Sequence, residues 1–121
     1  MLVAGDAAGL LEPWTREGIS YALRSGQLAG EAAVSVARAT DLPSALTGYA
    51  SAVEAEFGAE MRAGRKFYDA FCRRPGAFHA AIAGLPPAWR VFRRLVTGET
   101  TLAGLESHRT VRLALRAMGT H

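Results

Sequence analysis

The residues best able to do chemistry lie near the start of the chain: Asp6, Thr15 and Glu17, set among Gly5, Gly9 and Gly18. Asp6 follows an apolar run, Met1 to Ala4, that reads as a short buried strand. A carboxylate at such a tip can accept hydrogen bonds from the hydroxyls of a sugar-like chain, and ligands of open α/β sheets sit outside the carboxyl ends of strands. The small residues after it let a ligand approach the backbone. Thr15 is a good N-cap, and Glu17 adds negative charge where a helix dipole favours it. The amides of such a helix start can receive a partial negative charge. Together these parts suit a ligand that joins a polyol to an electron-rich ring. Taken alone, Asp6 reads better as a turn or N-cap residue.

Other candidates are weaker. Cys72 is the only cysteine. It lies on an aromatic stripe, is expected to be a buried inert thiol, and cannot form an intrachain disulfide. His79, His108 and His121 lack the spacing of a metal site. The net charge is 14 − 11 = +3, with the excess in the second half: Arg62, Arg65, Lys66, Arg73, Arg74, Arg90, Arg93, Arg94, Arg109, Arg112 and Arg116. These read as solvated helix faces or as an attraction to an anionic substrate or membrane surface. No nucleic-acid signature accompanies them, so nucleic acid is not an expected partner. There is no leader of the secretory type and no apolar run near the ~20 residues of a membrane span. The expected location is cytoplasmic, with peripheral membrane contact left open.

The elements that must position these residues are mainly helical. After the strand and a loop over Ala7–Trp14, a helix is expected from Thr15 to about Ala39. One face of it carries Ile19, Ala22, Leu23, Gly26, Gly30 and Ala33. Glycine inside a helix costs about 1 kcal/mol against alanine, so Gly26 and Gly30 suggest close approach by another backbone. Asp41-Leu42-Pro43 opens the next helix, whose stripe runs Leu46, Tyr49, Val53, Phe57, Met61, Gly64, Phe67, Phe71 until Arg74-Pro75 stops it. Shorter helices follow over Ala77–Ala83 and Pro87–Val96, the second packed by Trp89, and a last one over Leu102–Met118 ends at Gly119. The fold class is therefore mainly α, one short N-terminal strand followed by about five helices. Nothing later in the sequence offers the strand a partner, and a lone buried strand has unsatisfied backbone groups.

The segment Gly5-Asp6-Ala7-Ala8-Gly9, followed by Pro13, Thr15 and Glu17-Gly18-Ile19, resembles the second FAD-binding motif of the para-hydroxybenzoate hydroxylase-type flavoproteins. It is most similar to the geranylgeranyl reductase family among them. The match covers about a fifth of the chain, in order and spacing; the remainder is similar only in its helical, arginine-rich character. The resemblance implies that the strand is the last one of a Rossmann-like FAD domain, with residues 1–40 closing that domain and 41–121 forming a C-terminal helical region. It implies that Gly5 and Asp6 lie at the ribityl chain or diphosphate of FAD. The backbone at Gly18 and Ile19 would face the pyrimidine edge of the flavin, with Pro13 beside the ring. Many relatives carry glycine where Arg16 stands; Arg16 reads as a solvent-facing residue or as one aimed at the flavin or an anionic substrate. Trp14 reads as a packing anchor or as a pocket wall.

The resemblance implies an FAD-dependent oxidoreductase that reduces isoprenoid double bonds, with NAD(P)H as a candidate electron donor. The same motif serves monooxygenases and halogenases, which stay open, as does a small helical interaction module without catalysis. No catalytic residue is assigned, since hydride chemistry belongs to the cofactor. The family also holds the diphosphate with G-x-G-x-x-G, which does not occur here, because no two glycines are separated by one residue. The expectation is therefore a C-terminal part of such an enzyme. Alone it would have an incomplete flavin site and be inactive, needing a missing N-terminal region or a partner chain.

Overall fold

The computed structural model describes residues 1–38 and 41–119. The expected helix end at Ala39 and the candidate His121 lie outside the described residues. Six α-helices follow a 3-10 turn at Gly5–Ala8: α1 (Ile19–Arg38), α2 (Leu42–Arg73), α3 (Pro75–Gly84), α4 (Pro86–Val96), α5 (Leu102–Ser107) and α6 (Arg109–Ala117). They form two compact units, Met1–Met61 and Arg62–His121.

The mainly helical expectation holds, but no strand occurs among the described residues. The N-terminal backbone is extended as expected, with Ala4 at φ −135° and ψ 166°. What it lacks is a ladder. Val3's carbonyl accepts instead from the Tyr49 hydroxyl of α2, and Met1 is almost fully exposed. An extended segment without a neighbouring strand cannot pair its remaining backbone groups, so it stays irregular.

The first helix also starts later than Thr15. The Glu12 carboxylate takes both the backbone N–H and the hydroxyl of Thr15, and Arg16 N–H donates to the Glu12 carbonyl at 3.0 Å. Arg16 then adopts φ 62°, a left-handed conformation that a helix cannot continue through. Helical bonding opens only with Ala22 N–H donating to the Gly18 carbonyl at 2.8 Å.

Within the first unit the core is Leu10, Phe57 and Met61, with Ala8, Tyr21, Leu28 and Val53 packed on it. This is the expected α2 stripe, and Tyr21 of α1 meets Phe57 at 5.5 Å between ring centroids. The close approach expected at Gly26 and Gly30 is not made: a Cβ at either position would meet nothing within 4 Å. On the same face Ile19 is 75% exposed and Leu23 73%. The backbone that does come close is the 3-10 turn, at Ala22, one turn before Gly26 and two before Gly30. A Cβ on Gly5, whose φ is +57°, would sit 3.1 Å from the Ala22 Cβ.

In the second unit Ala63, Ala70, Leu102, Leu105 and Leu115 are buried. Arg74 and Leu85 end α2 and α3 because the residue before proline disfavours the helical region, and Pro75 and Pro86 open the next helices. The single helix expected over Leu102–Met118 is two. His108 is extended, with ψ 128°, and separates α5 from α6. A continuous helix would put Arg109, Arg112 and Arg116 on the face of Leu102 and Leu105; the break re-phases the chain so that Leu115 is buried instead. Cys72, expected in the core, is exposed, because the stripe loses its cover near the end of α2, where Phe71 is 39% exposed.

Candidate functional site

The candidate site is the loop from Gly5 to Ile19 and the start of α1. Two glycines shape its first half. Gly5 and Gly9 take φ values of 57° and 72°, the left-handed region that glycine enters without a Cβ penalty. Gly9 N–H donates to the Asp6 carbonyl at 2.9 Å, and Leu10 N–H to the Gly5 carbonyl at 3.1 Å. The turn is held on α1 by one buried polar contact: Gly5 N–H donates to Ser25 Oγ at 2.8 Å. Ser25 has no exposed surface, and its hydroxyl lies 3.3 Å from the Ala22 carbonyl it donates to.

This anchoring presents Asp6 to solvent at the start of the turn. Asp6 Oδ1 lies 2.9 Å from the point where a Cβ on Gly18 would stand, and Leu11 Cδ1 lies 3.0 Å from it. The carboxylate and the Gly18 backbone are thus neighbours, and the absent Gly18 side chain is what lets them be so. Any residue larger than glycine there must displace the carboxylate. Gly5 is buried, Pro13 and Gly18 are half-buried, and Ile19 is exposed.

The N-terminus of α1 is not uniformly open. Glu17 Oε1 accepts from Ser20 N–H at 3.0 Å and from the Ser20 hydroxyl at 2.7 Å. The Ser20 backbone and hydroxyl donors hold the Glu17 carboxyl below its usual value of 4.5, against a small opposing effect of burial, with a further contribution from the Ile19 amide. Glu17 therefore serves the Ile19 and Ser20 amides itself. Asp6 remains exposed beside the half-buried Gly18 backbone. Of the expected pair Gly18 and Ile19, the Ile19 amide serves the Glu17 carboxylate and Gly18 lies beside Asp6.

Three residues of the site were given no role by the sequence reading. Ser25 looks like an ordinary polar helix residue, and only its place one turn after Ala22 marks it. Glu12 is 8% exposed, and its Oε1 is buried without a hydrogen-bond partner, while Oε2 holds Thr15. A buried acceptor left open in this way is uncommon. Tyr21 faces Glu60, Glu12 and Glu17; burial first, then these three negative groups in that order, push its phenol up to about 12. Among the described residues no group of three His, Cys, Asp or Glu could hold a metal ion.

No family model, no curated protein and no solved structure matches the chain.

Proposed function

We propose that the segment from Gly5 to Gly18 forms one wall of a flavin site, and that the chain is the C-terminal part of an FAD-dependent oxidoreductase acting on an isoprenoid or other small-molecule substrate. The observation that carries this reading is the juxtaposition of the exposed Asp6 carboxylate with the side-chain-free Gly18 backbone. The resemblance of Gly5-Asp6-Ala7-Ala8-Gly9 and Glu17-Gly18-Ile19 to the flavoprotein motif supports it. When bound, FAD would supply the redox chemistry; the part of this chain would be to accept ribityl hydroxyls at Asp6 and to let the ring edge lie against Gly18. The open face of α1, with Ile19, Leu23, Gly26 and Gly30, suits a sheet supplied from outside the chain. The diphosphate-binding motif would come from the same source. Electron transfer from NAD(P)H and a cytoplasmic location belong to this reading.

The test is to express the chain in frame with the coding sequence that precedes Met1, and beside the neighbouring reading frame. A yellow protein retaining FAD is expected. Asp6→Ala should lower FAD affinity about ten-fold or more, the loss of a charge-assisted hydrogen bond. Flavin content unchanged by Asp6→Ala would remove Asp6 from the site, and tight FAD binding by the 121-residue chain alone would contradict its being one part of a larger site. A helical interaction module that ignores flavins is the second reading; the exposure of Ile19 and Leu23 favours it, and failure of every flavin arm would select it.

A further inference from the structure

From Pro75 to Trp89 the sequence holds no Asp, Glu, Lys or Arg, and Arg73-Arg74 and Arg90 flank this run. The run folds into α3, the Leu85 corner and the first turn of α4. Leu85 N–H donates to the Ala81 carbonyl at 3.0 Å, and Trp89 N–H donates to the Leu85 carbonyl at 3.1 Å. One residue thus closes one helix and opens the next, and Pro86-Pro87 stiffens the tip. The two helices pack against each other, yet neither contains a buried residue.

A helix apolar on all sides belongs in a core or a membrane. Apart from His79, α3 is such a helix, and it is not in the core. On α4 the positions Trp89, Phe92 and Val96 share one face at helical spacing, and Leu85 stands at the extended corner just before it. Leu85 is 56% exposed, Trp89 53% and Val96 67%; the Trp89 and Phe92 rings meet tilted at 34°, with centroids 5.9 Å apart. Arg90, Arg93 and Arg94 occupy the adjoining face. No acidic residue lies between Asp69 and Glu99. Arg94 meets Glu99 at 3.6 Å in an exposed pair, which contributes little in water.

We propose that the α3–α4 hairpin is a membrane-docking element, with its apolar tip set into the interface of an anionic bilayer and its arginines at the headgroups. The composition is that of an in-plane amphipathic helix, Trp, Phe and Leu on one side and Arg on the other. The apolar run is shorter than the ~20 residues of a span, and no described helix is long and apolar enough to cross a membrane. The hairpin therefore dips rather than crosses. Charge complementarity selects the lipid: a basic, acid-free collar around an apolar tip matches a negative surface. This inference stands independently of the flavin reading.

The test is co-sedimentation of the full chain with vesicles of phosphatidylcholine alone and of phosphatidylcholine mixed with phosphatidylglycerol. Binding to the anionic vesicles is expected, weakening as salt is raised. The double substitution Leu85→Asp, Trp89→Asp should abolish it, and each of Arg90→Gln and Arg93→Gln should weaken it about five-fold. Ala80→Asp, on an exposed position of α3, repeats the test away from the tip, with circular dichroism establishing that each variant is folded. In a Trp14→Phe background, Trp89 fluorescence should shift to the blue on anionic vesicles. Absence of vesicle binding by the unaltered chain overturns the proposal, as does equal binding by the folded double variant. A dimer that the double variant dissociates, in a chain that ignores vesicles, would assign the hairpin to a second copy and overturn it too.

Discussion

The Gly5–Gly18 loop and the α3–α4 hairpin solve opposite problems. In the loop, polar groups are held by buried partners: Gly5 N–H by Ser25, Thr15 by Glu12. In the hairpin, α3 and α4 pack on each other and Phe78 meets Phe71 edge-on, yet every apolar group keeps some exposed surface, since none of its residues is buried. The first arrangement fixes a geometry, as a binding site needs. The second leaves apolar surface whose stabilisation comes from whatever covers it. The sharpest check on this contrast is to truncate one aromatic in each region. Phe57→Ala removes the ring at the centre of the Leu10–Phe57–Met61 core and should cost about 3–5 kcal/mol in denaturant unfolding. Trp89→Ala should cost less than about 1 kcal/mol. Similar losses at both positions would mean that the hairpin is part of a core after all.

A smaller effect is expected at Ser25, where the loop's geometry hangs on one oxygen. Ser25→Ala leaves Gly5 N–H buried without an acceptor, a loss of about 1–3 kcal/mol. Hydrogen exchange at Gly5 and Leu10 should quicken with it, while the α3 and α4 amides keep their rates. Unchanged exchange at Gly5 would show that Ser25 does not anchor the turn.

Much of the helical part of this architecture was legible. The α2 stripe from Tyr49 to Met61 announced itself by spacing, and both short helices were expected, although α3 opens at Pro75 rather than Ala77 and α4 at Pro86 rather than Pro87. The misses share a cause: each depended on a partner distant in sequence or on local turn chemistry. The strand at Met1–Ala4 needed a neighbour, and Tyr49 took its carbonyl instead. Thr15 looked like a cap, but Glu12 had first claim on it. The helix of residues 102–118 carried no proline to stop it, and its break at His108 accompanies the burial of Leu102, Leu105 and Leu115. At the candidate site, residue types marked Asp6 and Gly18, and the fold brings them together. Ser25 and Tyr21 became visible only through the packing of α1 on its neighbours.

The two regions should also part under alkaline conditions, by less than under truncation. Tyr21 is half-buried against Phe57 and faces Glu60, Glu12 and Glu17, so its phenolate is disfavoured and its pKa rises from 10.0 to about 12. Because the folded value lies above the unfolded one, the stabilisation is complete below pH 10. It is lost as pH rises through about 12. Phenol absorbance should show one tyrosine ionising last, and Tyr21→Phe should remove that step. Loss of some other step on this substitution would move the raised group away from the Gly5–Gly18 loop.

The smallest effect belongs to acid. Glu17 is fully exposed, and its pKa is lowered from 4.5 by the Ser20 backbone and hydroxyl donors and then by the Ile19 amide, with slight opposition from burial. A carboxyl whose folded value is depressed stabilises the fold above its unfolded pKa, and that contribution falls away as pH drops from 4.5 through the lower folded value. The consequence is local: the first turn of α1 should fray in acid while α3 and α4, which carry no carboxylate, do not respond. Carboxyl NMR titration should place the Glu17 midpoint below that of an exposed glutamate, and the Ser20 amide should follow the same curve. Ser20→Ala removes the hydroxyl donor and should move the midpoint part of the way back towards 4.5. Glu17→Gln should leave the helix start indifferent to acid, and with one negative charge fewer beside Gly18 it should raise affinity for an anionic ligand there. A Glu17 midpoint equal to that of an unpaired glutamate would mean that the α1 amides are open.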